Sequence, residues 1–230
     1  MVMRDFFRLK KLVFCETFLK PLSVLQCQMR EDLKKTHEVY SKYAKEYAES
    51  TFPNLLQYQL TQFISYLPKD AKVLDVGCGS GKDVDYLTEE GFDVLGIDYS
   101  LEMIEEAKKL VPKGKFKVID MMELEFEDES FDGIWSCASL LHIPKEFAHG
   151  VLTKFHDILK SEGTMFIAVK EGEGERMVEY PQTNHEPRFF AFYRQPEFEG
   201  LLDKAGFEII SSFTEDDDED TWINVFCRKK

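Results

Sequence analysis

The stretch Val73-Leu74-Asp75-Val76-Gly77-Cys78-Gly79-Ser80-Gly81 decides the fold. Apolar residues run into a turn with glycine at every second position, and a helical pattern follows over Gly81–Glu90. That is a buried strand, a tight loop and a helix. Without a Cβ, glycine lets the backbone come close to a ligand. In open α/β sheets, ligands bind outside the carboxyl ends of the strands. The loop therefore suits a flat nucleoside lying over it. Its spacing, Gly77-x-Gly79-x-Gly81 preceded by Asp75, is not the GxGxxG of dinucleotide enzymes. A nicotinamide dehydrogenase is therefore a distant reading.

Outward from this loop the chain alternates. Strands are expected at Lys72–Val76, Asp93–Ile97, Phe116–Ile119, Phe131–Ser136, Thr164–Val169, Phe207–Ser212 and Trp222–Arg228. Between them lie helical patterns, one capped by Ser100 and running to Leu110, others over 144–160 and Glu197–Ala205. The helix opened by Pro144 carries Ala148, Val151, Leu152, Phe155, Ile158 and Leu159 on one face, a 3.6-residue period. Upstream, Arg30–Ser50 is helical, and a second helical stretch near Leu55–Leu67 stops at Pro68. Such alternation predicts a doubly wound, mostly parallel sheet with helices on both faces.

Two further acids fall where ligand contacts belong. Asp98 ends the second strand, where a carboxylate accepts hydrogen bonds from ribose hydroxyls. Asp120 ends the third, placed for an adenine amino group, with Met121 beside it to pack on the ring. Singly, each acid reads equally well as a cap or turn residue. Three acids ending three consecutive strands, the first bearing a glycine loop, argue for a site.

These stretches, with Gly96-Ile97-Asp98-Tyr99-Ser100, Ile119-Asp120-Met121 and Phe131-Asp132-Gly133-Ile134-Trp135-Ser136, resemble the successive motifs of class I S-adenosylmethionine-dependent methyltransferases. The resemblance covers roughly Tyr40 to Arg228 and is nearest the branch typified by quinone-biosynthesis enzymes. It implies a Rossmann-like sheet of seven strands, the last antiparallel, and S-adenosylmethionine as cofactor. By position, Asp75 and the loop Gly77, Cys78, Gly79 and Gly81 would hold the methionine part, with Ser136 and Cys137 lining it. Asp98 would hold the ribose, Tyr99 and Met103 would lie near the adenine, and Asp120 and Met121 at its edge. The segment Tyr40–Tyr47 resembles the family's entry helix, from which Tyr40, Tyr43 or Tyr47 would fold over the cofactor; a tyrosine face attracts a sulfonium. Simple packing of an amphipathic helix explains the same tyrosines. The family's Pro-Gly-Gly turn before the fifth strand is here Ser161-Glu162-Gly163, with Gly163 expected to supply the backbone freedom.

Methyl transfer from a sulfonium needs mainly alignment and exclusion of water, and positioning alone supplies ~7–11 kcal/mol. His142, in Ser139-Leu140-Leu141-His142-Ile143-Pro144 after the fourth strand, is the candidate catalytic base; the alternative is a histidine that caps or packs. Lys170–Tyr193, with Glu171, Glu173, Glu175, Arg176, His185, Arg188, Phe189, Phe190 and Tyr193, is expected to shape the acceptor pocket, or else to be a solvated loop with an aromatic anchor. The acidic run Glu215–Asp220 reads as a solvated hairpin loop.

Composition bounds the rest. The 230 residues are 43% apolar and 31% charged, suited to one α/β domain. The 29 basic against 43 acidic residues give a net charge of −14, which disfavours DNA and RNA as partners and favours a small-molecule acceptor. No apolar run approaches the ~20 residues of a membrane span. Five cysteines without a CxxC pair argue against a zinc site or a disulfide framework, so a cytoplasmic setting and no metal are expected. Residues 1–29 form a basic extension ahead of a domain over 30–230. That extension reads as an upstream start before Met29, an added helix, or a basic amphipathic targeting segment. A tRNA or protein methyltransferase, and a cofactor-binding protein without catalysis, are the competing functions.

Overall fold

The structure, a computed structural model, describes residues 30–230. The expected extension 1–29 lies outside the described residues. Three helices come first, α1 (Glu31–Lys42), α2 (Ala44–Thr51) and α3 (Gln57–Tyr66). The helical stretch Arg30–Ser50 thus divides at Tyr43, whose φ of −108° and ψ of 19° leave the helical region. The ladder continues through the kink, because Tyr47 N–H donates to Tyr43 O at 2.8 Å.

Then β1 (Lys72–Val76), α4 (Lys82–Glu89), β2 (Asp93–Asp98), α5 (Leu101–Leu110), β3 (Lys115–Val118) and β4 (Phe131–Cys137) alternate. They are followed by α6 (Lys145–Ile158), β5 (Leu159–Lys170), the hairpin β6 (Glu175–Glu179) and β7 (Pro187–Ala191), α7 (Gln195–Lys204), β8 (Phe207–Asp216) and β9 (Thr221–Lys229). Seven strands form one sheet in the order β3-β2-β1-β4-β5-β9-β8. β9 runs antiparallel to both its neighbours, and the pairings among β1–β5 are parallel. The expected seven-stranded, doubly wound sheet with an antiparallel last strand is therefore what the chain forms. Strand order reverses beside β1, between β2 and β4, the switch point at which open α/β sheets take their ligands, and the glycine loop follows β1 there.

Alternation along the strands divides the core in two. Leu74, Ile134, Ile167 and Val225 join one apolar cluster; Val73, Trp135, Phe166 and Phe226 join the other. On the second face the register sets Trp135 opposite Phe166 and Phe166 opposite Phe226. The first pair stacks at 4.2 Å between ring centroids, and the second tilts at 4.9 Å. Phe63 of α3 closes on Trp135 at 5.3 Å.

Three local expectations are corrected. The backbone freedom before the fifth strand is taken by Glu162, with φ of +63°, not by Gly163. Gly163 is needed for closeness instead, since a Cβ there would lie 2.8 Å from the Lys160 carbonyl oxygen. The Lys170–Tyr193 segment contains a two-stranded hairpin, not a loop alone. The acidic run is a turn only over 217–220, since Glu215 and Asp216 still pair with Trp222 and Thr221 in the β8–β9 ladder; Asp220 is anchored, accepting from Lys170 Nζ at 2.5 Å and Tyr180 Oη at 2.9 Å. Among the described residues, no helix is long and apolar enough to cross a membrane.

Gly163→Ala is expected to lower stability by about 1–3 kcal/mol, as overpacking against backbone does. Glu162→Gly, relieved of its left-handed strain, should leave the urea midpoint unchanged or raise it slightly.

Candidate functional site

The glycine loop is fixed before any ligand is considered. Gly77 and Cys78 both donate their N–H to Ile97 O, at 2.8 and 2.9 Å, so the end of β2 holds the loop. Gly77, Gly79 and Gly81 have φ of +73°, +49° and +79°, a conformation that side chains resist. A Cβ on Gly77 would fall 2.4 Å from Ser139 Cβ, whereas one on Gly79 would meet nothing nearer than Met103 Cε at 3.7 Å. Gly77 is thus packed from the β4 side, and Gly79 faces more open space.

Asp98 lies at the floor. Its Oδ1 accepts Ser100 N–H at 2.9 Å and its Oδ2 accepts Gly79 N–H at 3.1 Å. Burial pushes its carboxyl up to about 6 despite these bonds. A carboxylate offers roughly four acceptor positions, so half remain for a ligand diol. Ser100 caps α5 by accepting Met103 N–H at 3.2 Å, which places the buried Met103 against the loop. Asp75 is 2% exposed, and its Oδ2 has no hydrogen-bond partner. Burial first, then the nearby Asp83, raises its carboxyl well above the usual range. An orphaned buried acceptor under a glycine loop fits a ligand carrying donors or positive charge.

The other expected residues are less uniform. Asp120 is exposed and uses Oδ1 to accept Met122 N–H at 2.8 Å, leaving one oxygen free of this cap; Met121 packs half-buried on the core. Ser136 and Ser139 share a hydrogen bond at 2.9 Å. Burial raises the Cys78 thiol, and pushes Cys137 up to about 12, so neither offers a reactive thiolate. Tyr99 lies with its ring 4.7 Å from His37.

The three tyrosines part company. Tyr47 packs with Ala44, Ala48 and Met103, next to the donor side. Tyr40 meets Tyr47 edge-on at 5.2 Å. Tyr43 points instead toward the hairpin, donating its hydroxyl to Glu186 at 2.8 Å. Glu186 also binds Lys35 at 2.8 Å and Lys42, and these cations with Tyr43 hold its carboxyl down to about 2.

His142 closes the site from the turn after β4. Its Nδ1 lies 2.7 Å from Phe189 O, and its Nε2 lies 2.8 Å from Tyr40 Oη. A carbonyl only accepts, so Nδ1 carries the proton, Nε2 is bare and the Tyr40 hydroxyl donates to it. Burial, and after it the Arg188 charge, lowers the imidazole to about 3. Phe189 is held at both of its backbone groups, because its N–H donates to Thr36 Oγ1 at 2.7 Å. One residue of β7 thereby links α1 to the His142 turn. Arg188, the residue before it, donates from Nη1 to Tyr40 Oη at 2.5 Å. Sequence reasoning gave no role to Thr36, Ser139 or Glu186. Their partners lie more than a hundred residues away for Thr36 and Glu186, so no local pattern marks them.

Residues 73–163 match the methyltransferase domain family. The chain is 33% identical over 158 residues to 2-methyl-6-phytyl-1,4-hydroquinone methyltransferase of Synechocystis, a match covering 65% of this chain and 45% of that protein. The chain spans less than half the length of the first curated relatives it matches. Among solved structures, a SAM-dependent methyltransferase from Methanosarcina mazei superposes with a TM-score of 0.67 at 22% identity, over 73% of this chain and 96% of that one. The 1,6-didemethyltoxoflavin-N1-methyltransferase of Burkholderia thailandensis, solved with S-adenosylhomocysteine and its substrate bound, gives 0.68 at 21% identity, over 88% and 92%. At such identities the two structures speak for the fold.

His142 is expected to remain the neutral Nδ1–H tautomer in solution. Its ring nitrogen shifts in ¹⁵N spectra should not titrate between pH 8 and 5; an ordinary midpoint near ~6.5 would contradict the burial and the Arg188 charge that lower it.

Proposed function

We propose that this protein transfers a methyl group from S-adenosylmethionine to a small-molecule acceptor. The observation that carries the reading is Asp98, a buried carboxylate fixed by the backbone of Gly79 and Ser100 with acceptor positions to spare. A ribose diol is the matching donor pair. Asp75, with its orphaned oxygen, would lie toward the cationic methionine end, together with Gly77, Cys78, Gly81, Ser136 and Cys137. Tyr99, Met103 and Met121 would flank the adenine, and the free oxygen of Asp120 would take its amino group. Tyr47, with Tyr40 beside it, would cover the sulfonium. Tyr43, turned to Glu186, serves the hairpin instead.

When bound, S-adenosylmethionine supplies an electrophilic methyl group on a sulfonium whose leaving group is a neutral thioether. The protein's own part is alignment. α1 and the β6–β7 hairpin, joined through Phe189, Glu186 and Tyr40, close over the crevice and exclude water. His142 presents its bare Nε2 to the Tyr40 hydroxyl, an arrangement that could take a proton from an acceptor. A base held near 3 is a weak one at neutral pH, so the geometry favours acceptors that need little deprotonation. The acidic net charge supports a small molecule over a nucleic acid as acceptor. A cytoplasmic setting suits the free Cys78, Cys137 and Cys227.

Calorimetry with S-adenosylhomocysteine, with NAD as control, tests the reading. Binding of the first alone is expected, and Asp98→Ala should weaken it by about 1.5–3 kcal/mol, the worth of hydrogen bonds to a charged group. The pH dependence has a definite sign. Raising Asp98 to about 6 means its burial costs no stability while it is protonated, below ~4, and about 3 kcal/mol once it ionises above pH 6. Ribose hydroxyls favour the ionised form. Affinity should therefore fall by up to ~tenfold per unit as pH drops below 6, and the ligand's thermal stabilisation should be larger at pH 7.5 than at 5.5. Equal binding at both, or binding of NAD alone, would overturn the assignment. His142→Ala should leave this affinity intact and slow turnover; wild-type turnover would make His142 purely structural.

A further inference from the structure

Arg188 is a charge without an opposite. It is 3% exposed, and no carboxylate lies within ion-pair distance of it among the described residues. Its Nε has no hydrogen-bond partner. Its Nη1 donates to a neutral hydroxyl, that of Tyr40, and the other hydroxyl against it, that of Tyr47, is neutral too. Buried guanidinium groups are almost always paired, because desolvating an unpaired ion costs several kcal/mol. Rings surround it: Tyr40 at 4.9 Å, Phe190 at 5.4 Å, Tyr180 at 5.6 Å and Tyr47 at 5.7 Å from the guanidinium carbon. Cation–π contacts offset part of the cost and leave the charge in place. The nearby Lys170, over Tyr180 at 3.6 Å, is already neutralised by Asp220. One positive charge is left over in an aromatic enclosure.

That charge lies beside the Tyr40–His142 pair. Arg188 and Phe190, two apart on β7, share a strand face, and both meet the pair Tyr40–His142: Arg188 through the Tyr40 hydroxyl, Phe190 with its ring 4.7 Å from that of His142. The partners named for Arg188 lie on α1, α2 and the hairpin, and none is on the glycine loop.

We propose that Arg188 anchors an anionic oxygen group of the acceptor, so that the molecules methylated here are small acids: carboxylates, or ionised phenols and enols. The inference rests on the methyl-transfer reading and narrows it. An arriving anion would neutralise the guanidinium beside His142 and so return basicity to Nε2, because Arg188 is one of the groups that suppress it. The same chemistry has a second source, the methionine carboxylate of the donor, and the test separates the two.

Benzoate and acetate, each against its amide, are titrated into the protein saturated with S-adenosylhomocysteine, followed by ¹⁵N spectra of His142. Each acid should bind at least ~tenfold tighter than its amide, about 1.4 kcal/mol, and raise the His142 midpoint. Arg188→Gln should abolish that preference and leave S-adenosylhomocysteine affinity unchanged, which also shows that the variant is folded; Arg188→Lys should keep part of it. Equal binding of acid and amide, or no binding of either acid, would overturn the inference. So would weakened S-adenosylhomocysteine binding in Arg188→Gln with 5′-methylthioadenosine, which lacks the carboxylate, unaffected. If S-adenosylhomocysteine fails to bind while the free protein still prefers the acids, the methyl-transfer reading falls and the anion site stands.

Discussion

Two backbone N–H groups, from Gly77 and Cys78, converge on the carbonyl of Ile97, and the site depends on that convergence. It welds the turn after the first strand to the end of the second. Asp98, one residue on, can then reach back to the Gly79 N–H. The loop becomes a rigid floor with its polar atoms already oriented. Such preorganisation needs three left-handed residues in a row of five, and glycine meets that need without steric strain. The cost of a buried Asp98 is borne by the free protein and relieved when a donor arrives.

Above the floor, the roof is assembled from parts distant in sequence. A single residue, Phe189, gives its backbone N–H to α1 and its carbonyl to His142. Glu186, two residues before Arg188, ties the same hairpin to Lys35, Lys42 and Tyr43. The first helix, the hairpin and the turn after β4 therefore act as one cover. Surface ion pairs such as those of Glu186 contribute little to global stability. Their effect here is local, setting where the cover rests.

What the sequence made legible follows from what is local. The glycine loop, the strand-ending acids and the alternation of strands and helices each lie within a few residues. They mark the mostly parallel sheet and the candidate donor pocket, while the antiparallel last strand follows only from the family resemblance they carry. The cover was less legible. The β6–β7 strands are short, and only Val178 and Met177 mark the first as apolar, so Glu175–Glu179 read as flexible loop. The pairing of Thr36 with Phe189 spans 153 residues and leaves no periodicity behind. The position of His142 is legible, but its tautomer comes from Phe189 and its weak basicity from burial and then Arg188, which only the folded chain supplies. At Ser161–Gly163 the glycine drew attention for its freedom, while the left-handed residue was its neighbour Glu162.

The two tryptophans occupy unlike settings. Trp135 is sealed in the core, stacked on Phe166 and donating its indole N–H to Asp83 at 3.1 Å. Trp222 lies at the rim, 5.1 Å from Lys170 Nζ, with its indole N–H on Asp217. Lys170 in turn sits over Tyr180 of the hairpin turn. The chain thus contains two emitters of different kind: one inside the core, whose surroundings change when the fold is lost, the other at the rim, in the field of Lys170 and Asp217. Intrinsic fluorescence therefore reads the core and the rim separately, with no label attached.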